Sequence, residues 1–390
     1  MCVFTKWLLR ERFMRSSSFS IKAYNERFSS LLFWLAVFLI GFRSTIGVSN
    51  FPNNFLLKAM SGILWQFVIL SILLNQFSKR DLIICFILLF VVFAIYFHSK
   101  VLAPFYNMLA IIAARHKDFR KILEGHLLGT LCASILVIGS CYLGVIPDTV
   151  FLDGSKSLGF FNPNAFPTRL AIMVFSAVYI WYRQVKIRHL LFINAISFFV
   201  YVETGSRAGL IIILGFTFFV FFTKISKSFK FLLRKFCVFV SVMIALFSIL
   251  GIALYAISPF FQKMDVILTG RLSQPLYYFA IYQPTLLGNY IKEFQIAGER
   301  PKLYTIDNGY ARVLIEWGII YFFCMFIPYW KTIRLNANHR DYAAILVLIF
   351  ILLYMLSESV FCSVNINWFI ILCAECYFVR HNHPRRHKTL

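Results

Sequence analysis

Thr204-Gly205-Ser206-Arg207-Ala208-Gly209 stands between two apolar runs, 190–202 and 210–222. The runs read as membrane helices and the six residues as a glycine hinge between them. An arginine beside hydrocarbon is costly unless it sits at the membrane edge or meets a partner. Two glycines flank it, so backbone N–H groups approach a ligand closely there. The following helix turns its positive dipole end to the same place. A guanidinium grips a phosphate through two oxygens, which lysine does not match. The hinge therefore reads as a membrane-edge site for an anion. Its bland alternative is a salt bridge from Arg207 to Glu203, four residues earlier.

Composition extends the membrane reading to the whole chain. Of 390 residues, 60% are hydrophobic, 18% aromatic and 14% charged, with mean hydropathy +0.76. A soluble domain carries roughly 25% charged residues. The apolar runs are continuous rather than alternating, which excludes a β-barrel. The expected class is all-α: a polytopic integral membrane protein with about twelve spans. These are 29–46, 57–77, 82–98, 101–114, 124–145, 165–182, 189–203, 208–223, 236–258, 309–330, 342–358 and 364–379. The run 101–114 is short and holds Pro104, so a re-entrant segment is an alternative there.

The net charge of +23 does not indicate a nucleic-acid partner. The cations fall in short clusters between apolar runs, which is the pattern of topology signals. With a cytoplasmic N-terminus, 27 of the 39 Lys and Arg residues lie in inner segments, and every inner loop is basic. Both termini are then cytoplasmic. Residues 1–28 read as a basic tail with no cleavable signal peptide. Residues 29–379 form a single membrane domain, and 380–390 a basic tail. The outer segments include 146–164, the hinge, and a loop over 259–308, far longer than an ordinary connection. Within it 272–282 reads as an amphipathic piece lying in the interface. Cys373 and Cys376 form one C-x-x-C inside a span with no second pair, so no metal or redox role is expected.

Twelve cations remain outside the inner loops. Arg43, Lys58, Lys100 and Lys156 sit near helix ends and read as snorkelling residues. Arg169 follows Gly159-Phe160-Phe161-Asn162-Pro163-Asn164, where prolines and asparagines mark a helix start. Arg271 ends Leu268-Thr269-Gly270-Arg271 in the long loop. Asp307-Asn308-Gly309-Tyr310 opens the next span, with a capping residue at 307 or 308. Arg312 and Glu316 share one face of that span and can pair. Asp307 is the carboxylate placed beside the arginines, and a carboxylate can act as general base toward a sugar hydroxyl. Glu358 and Asn365 mark another polar edge, expected as packing or acceptor contacts.

These four motifs, in this order, resemble the Wzy-type oligosaccharide repeat-unit polymerases, in the superfamily that includes the O-antigen ligases. The resemblance covers about 150–380; the first 150 residues are similar in hydropathy alone. It implies a multi-pass glycosyltransferase of the bacterial plasma membrane that joins undecaprenyl-pyrophosphate-linked repeat units at the outer face. It implies a lipid-linked glycan donor and acceptor, no cofactor and no metal, and a chain-length regulator and a flippase as partners. Arg207 and Arg271 would hold the donor pyrophosphate. Asp307 joins them as a catalytic candidate, with Arg169, Asn162, Asn164, Asn308, Tyr310, Arg312 and Glu316 as substrate-binding candidates. The ligases carry a histidine where this chain has Asp307, which favours a polymerase and leaves the base open. A ligase-type transferase and a lipid-linked oligosaccharide flippase or transporter are the alternatives.

Overall fold

The computed structural model describes residues 2–52, 55–152, 154–291 and 306–378. The basic tail 380–390 and residues 292–305 of the long loop lie outside the described residues. Within them the chain is helical, with only two isolated β-bridges, Ser49 to Phe160 and Val150 to Lys156.

The helices in order are α1 (Cys2–Ile46), α2 (Phe55–Leu73), α3 (Lys79–Ser99), α4 (Ala103–Ala113), α5 (Phe119–Tyr142), α6 (Ala165–Trp181), α7 (Ile187–Thr204), α8 (Arg207–Ile225) and α9 (Lys227–Ala253). Two short loop helices follow, α10 (Pro259–Ile267) and α11 (Ser273–Ile281). One long run then comprises α12 (Gly309–Arg312), a π-helical turn (Val313–Trp317) and α13 (Gly318–Asn338). The chain ends in α14 (Tyr342–Tyr354), two 3₁₀ turns (Ser359–Cys362 and Trp368–Cys373) and α15 (Ala374–Tyr377).

Seven of these are long and apolar enough to cross a membrane: Tyr24–Ile46 within α1, α3, α5, α7, α8, α9 and the run Gly309–Asn338. Five shorter apolar helices fall at the other expected segments. One of them, α4, has 11 residues and is about 16 Å long at 1.5 Å per residue, half the thickness of a bilayer core. Phe86, Phe90 and Phe97 on α3 and Phe192, Phe198 and Phe199 on α7 are exposed. Apolar faces of this extent belong against lipid rather than water. The chain is a helical, membrane-embedded protein.

Three boundaries differ from expectation. Residues expected as an N-terminal tail continue α1 back to Cys2, since no Pro or Gly interrupts the sequence before Gly41. The segment expected to reach 358 stops at Tyr354. The last one opens as a 3₁₀ turn behind an Asn367 cap. Hydropathy measures transfer to lipid and does not register where a polar side chain captures a backbone N–H.

The basic loops meet at one end of the bundle. Arg115 pairs with Asp81 at the start of α3, and Lys117 Nζ donates to Ser29 Oγ of α1 at 2.7 Å and to Asn75 beyond α2 at 3.2 Å. Burial pulls the Lys117 ammonium down to about 8. Arg120 and Lys224 donate to the carbonyls of Ile180 and Tyr182 at the end of α6. Such cations complement the negative end of a helix dipole.

Close backbone contact fixes α1 on α5. A Cβ on Gly129 would fall 2.1 Å from Phe38 O, and one on Gly125 3.1 Å from Trp34 O. The two glycines are four apart, the small-residue spacing that lets membrane helices approach. Around α6, α8 and α14, Phe175 meets Phe216 with centroids 4.7 Å apart, and Phe216 meets Phe350 at 5.5 Å. Each such pair adds about 0.5–1.5 kcal/mol beyond burial.

Candidate functional site

At the end opposite the basic loops, the N-termini of α6, α8 and α12 gather around the C-terminus of α14. Tyr354 is the shared contact. Its Oη lies 3.4 Å from Thr168 Oγ1 of α6. On α8, a Cβ at Gly209 would stand 3.5 Å from the same oxygen and 2.7 Å from Pro167 Cβ. The α12 start joins through Gly309 N–H, which donates to Met355 O at 2.7 Å. The first N–H groups of each helix lack intrahelical acceptors, so this end presents positive partial charge.

The long loop closes the same end. Leu272 and Tyr278 pack with Ile252, Ile306, Ala311 and Ile315 into a small separate core. The piece 272–282 is therefore docked on α9 and α12 through these two residues, while Tyr277 and Ile281 are exposed. Gly288 (φ 82°) and Gly318 (φ 89°) let the loop backbone meet the π turn: a Cβ on Gly288 would lie 2.1 Å from Glu316 O. Ile319 N–H then donates to Thr285 O at 3.0 Å, and Asn289 Nδ2 to Ile315 O at 2.9 Å.

These supports hold Arg271 in the turn between α10 and α11. Asp265 prepares that turn by accepting from the N–H groups of Leu272 (2.6 Å) and Ser273 (3.2 Å). Arg271 Nη1 pairs directly with Asp307 Oδ2. Its Nε is buried without a hydrogen-bond partner. A buried donor left unmade is costly, so an oxygen of a ligand is the natural acceptor.

Arg169 does not snorkel. It is 4% exposed, with Nη1 donating to Ala165 O at 2.8 Å and Nη2 to Ser44 O at 3.0 Å. It ties α6 to α1, and its Nε is also buried without a partner. Arg43, in the last turn of α1, repeats that orphaned Nε. Arg169→Ala removes two hydrogen bonds from a cation, each worth about 1.5–3 kcal/mol. We expect a clearly lower Tm in detergent and lower abundance in membranes, with Arg169→Lys intermediate. A wild-type melting curve for Arg169→Ala would rule out the anchoring role.

Arg207 is the first residue of α8, exposed, with no side-chain hydrogen bond or ion pair among the described residues. The expected alternative of a bond to Glu203 is overturned. Glu203 Oε2 accepts from Lys156 Nζ at 2.9 Å, and Glu203 O from Lys156 N at 2.9 Å. The Glu203 hydrogen bond and charge raise the Lys156 pKa. Lys156 is thus a loop staple, and Arg207 keeps its donors free.

The remaining candidates divide. Arg312 Nε donates to Glu316 Oε2 at 2.9 Å, and Arg312 Nη1 to Ser359 Oγ at 3.1 Å. Asn308 is 0% exposed and caps α12 through Tyr310 N and Ala311 N, both at 3.1 Å. Its amide also exchanges hydrogen bonds with Ser248 Oγ. Tyr310 is likewise 0% exposed, its Oη donating to Leu352 O at 3.0 Å. Both are expected substrate-binding candidates; in the structure their side chains are engaged inside the fold. Asn164 precedes α6 as expected but makes no side-chain cap, and Asn162 is exposed.

Glu358, expected as a packing or acceptor contact, lies within the charge influence of Arg271 and Arg169. It follows Tyr354 by one turn, with its N–H on Tyr354 O at 2.9 Å. It is half-buried and accepts no side-chain hydrogen bond among the described residues. Burial pushes its carboxyl up to about 7, against the opposing charges of Arg271 and Arg169. The sequence marks residue 358 as a polar edge but not its arginine neighbours, because both arrive from distant segments.

No family model, no curated protein and no solved structure matches the chain.

Proposed function

We propose that the chain is a Wzy-type oligosaccharide repeat-unit polymerase of the bacterial plasma membrane, with twelve spans, both termini cytoplasmic and the arginine face outside. The observation that carries this is the gathering, opposite the basic loops, of Arg271 and Arg169 with buried unpartnered Nε–H groups beside the α8 N-terminus led by Arg207. Helix N-termini and guanidinium donors suit a pyrophosphate. The exposed apolar helices suit its polyprenyl anchor.

The chemistry follows from the leaving group. An acceptor hydroxyl oxygen attacks the anomeric carbon of the donor glycan. The bond from that carbon to the pyrophosphate oxygen breaks, and its electron pair leaves with the lipid pyrophosphate. Arg207 and Arg271 neutralise the developing charge, as preorganised donors do in a water-poor site. The hydroxyl proton passes to a carboxylate. The donor is the growing chain on its carrier, and the acceptor is the non-reducing end of a new lipid-linked unit. A chain-length regulator and a flippase are the partners this role requires.

Deletion followed by glycan sizing tests it. A polymerase deletion leaves single repeat units on the cell surface, with no ladder of longer chains. Polymer accumulating on the carrier lipid would indicate a ligase, and single units trapped inside the cell a flippase; either result overturns the proposal.

A further inference from the structure

We propose that Glu358 is the base that takes the proton from the acceptor hydroxyl, and that Asp307 instead positions Arg271. This assignment rests on the polymerase reading of the same site and names the residue that it leaves open.

The carboxylates at this end differ in what they already hold. Glu203 touches Lys156, Asp307 touches Arg271, and Glu316 touches Arg312. Asp265 accepts two backbone N–H groups, and Asp148 accepts from Ser157 Oγ at 3.1 Å. Each is held in its ionised form by the cation or N–H/O–H donor it already engages, which makes it a weaker proton acceptor. Glu358 alone in this set has a carboxyl without a hydrogen bond among the described residues, and it is half-buried and still reachable.

Its neighbours place it on the reaction path. Asn308 Nδ2 donates to both Arg271 O at 3.5 Å and Leu356 O at 3.4 Å, which sets the turn carrying Glu358 beside Arg271, and the charges of Arg271 and Arg169 reach its carboxyl. Tyr354 lies one turn back, and Ser359, the next residue, accepts from Arg312. A hydroxyl held beside Glu358 is therefore next to Arg271, which faces the leaving pyrophosphate. As the acceptor oxygen bonds to the anomeric carbon, its proton moves to a Glu358 oxygen, and the carbon–oxygen bond to pyrophosphate releases its electron pair toward Arg271. Charge balances: the base loses its negative charge as the leaving group gains one.

A base works best with a pKa near the working pH, and burial places Glu358 at about 7. The active form is the ionised one, so the rate should rise with pH through about 7 and level off above it. Asp307, bound to Arg271, serves that cation's orientation.

The experiment uses right-side-out membrane vesicles of a deletion strain carrying the full-length chain, with the host's own lipid-linked repeat units as substrate. Chain length is read on gels across pH 5.5–8.5 and abundance by blot. Glu358→Gln should lower polymerisation by about 10²–10⁴-fold and abolish the rise through pH 7. The isosteric amide mimics the neutral carboxyl, so abundance should be unchanged. Glu358→Asp should restore part of the rate together with a rising pH limb. Asp307→Asn still accepts from Arg271 and should keep the wild-type pH midpoint at a reduced rate. Glu358→Gln polymerising within threefold of wild type, or keeping the wild-type pH limb, overturns the assignment. So does an Asp307→Asn variant that loses that limb. If Arg271→Ala abolishes the ladder in the same vesicles while Glu358→Gln does not, the base is misassigned and the polymerase survives. If deletion leaves the ladder intact, the polymerase itself fails.

Discussion

Arg271→Ala is expected to abolish the polymer ladder, lowering chain extension by about 10³-fold or more. Two losses coincide. The guanidinium that would face the leaving pyrophosphate disappears, and removal of one preorganised donor costs about 10²–10³ in rate. The change also leaves Asp307 without the cation it contacts directly. A carboxylate with one cation fewer then faces the pyrophosphate. Two like charges 4 Å apart at an effective dielectric of 20 repel by about 4 kcal/mol. The double variant Arg271→Ala/Asp307→Ala should therefore polymerise about tenfold better than Arg271→Ala alone, because the repelling like charge is gone. Such non-additivity is the signature of residues in contact. Glycan sizing of the two single variants and the double one measures it. A normal ladder for Arg271→Ala removes the residue from the site, and strict additivity removes the repulsion argument.

Much of this was legible in the sequence because its cause is local. Gly205 takes up φ 66° and ends α7 where the hinge was read. Asn164 precedes α6, and Asn308 caps α12. The pair Arg312–Glu316 needed only helical spacing. What stayed hidden depends on residues far apart in the chain. Glu203 finds Lys156, 47 positions earlier. Glu358 feels the charges of Arg169 and Arg271, both distant from it in the chain, while its own neighbourhood suggested packing or acceptor contacts. Gly318 looked like an ordinary helix residue, yet a Cβ there would strike Gly288 N at 2.3 Å, and the π turn exists where those backbones meet. Hydropathy located the helices but not their lengths, since α14 ends at Tyr354 and Trp368–Cys373 winds as a 3₁₀ turn.

Arg207→Ala should match the deletion in glycan size while the protein itself is made and folded normally. The separation is the point. Arg169 is buried and holds two carbonyls, so its loss confounds folding with function. Arg207 is exposed and holds nothing among the described residues. Surface substitutions away from specific contacts stay within about ±0.5 kcal/mol, so Tm and membrane abundance should not move. A cation with no structural partner at a helix N-terminus is not explained by stability. Its only available work is on something that arrives. If that is a pyrophosphate, Arg207→Lys should keep the charge but lose the two-oxygen grip, giving a shortened ladder rather than none. Raising salt should harm the lysine variant more than wild type, since a point charge at an exposed site is screened more readily than a bidentate pair. A full ladder from Arg207→Ala would refute the pyrophosphate role. A short ladder accompanied by a lower Tm would mean that Arg207 supports the hinge instead.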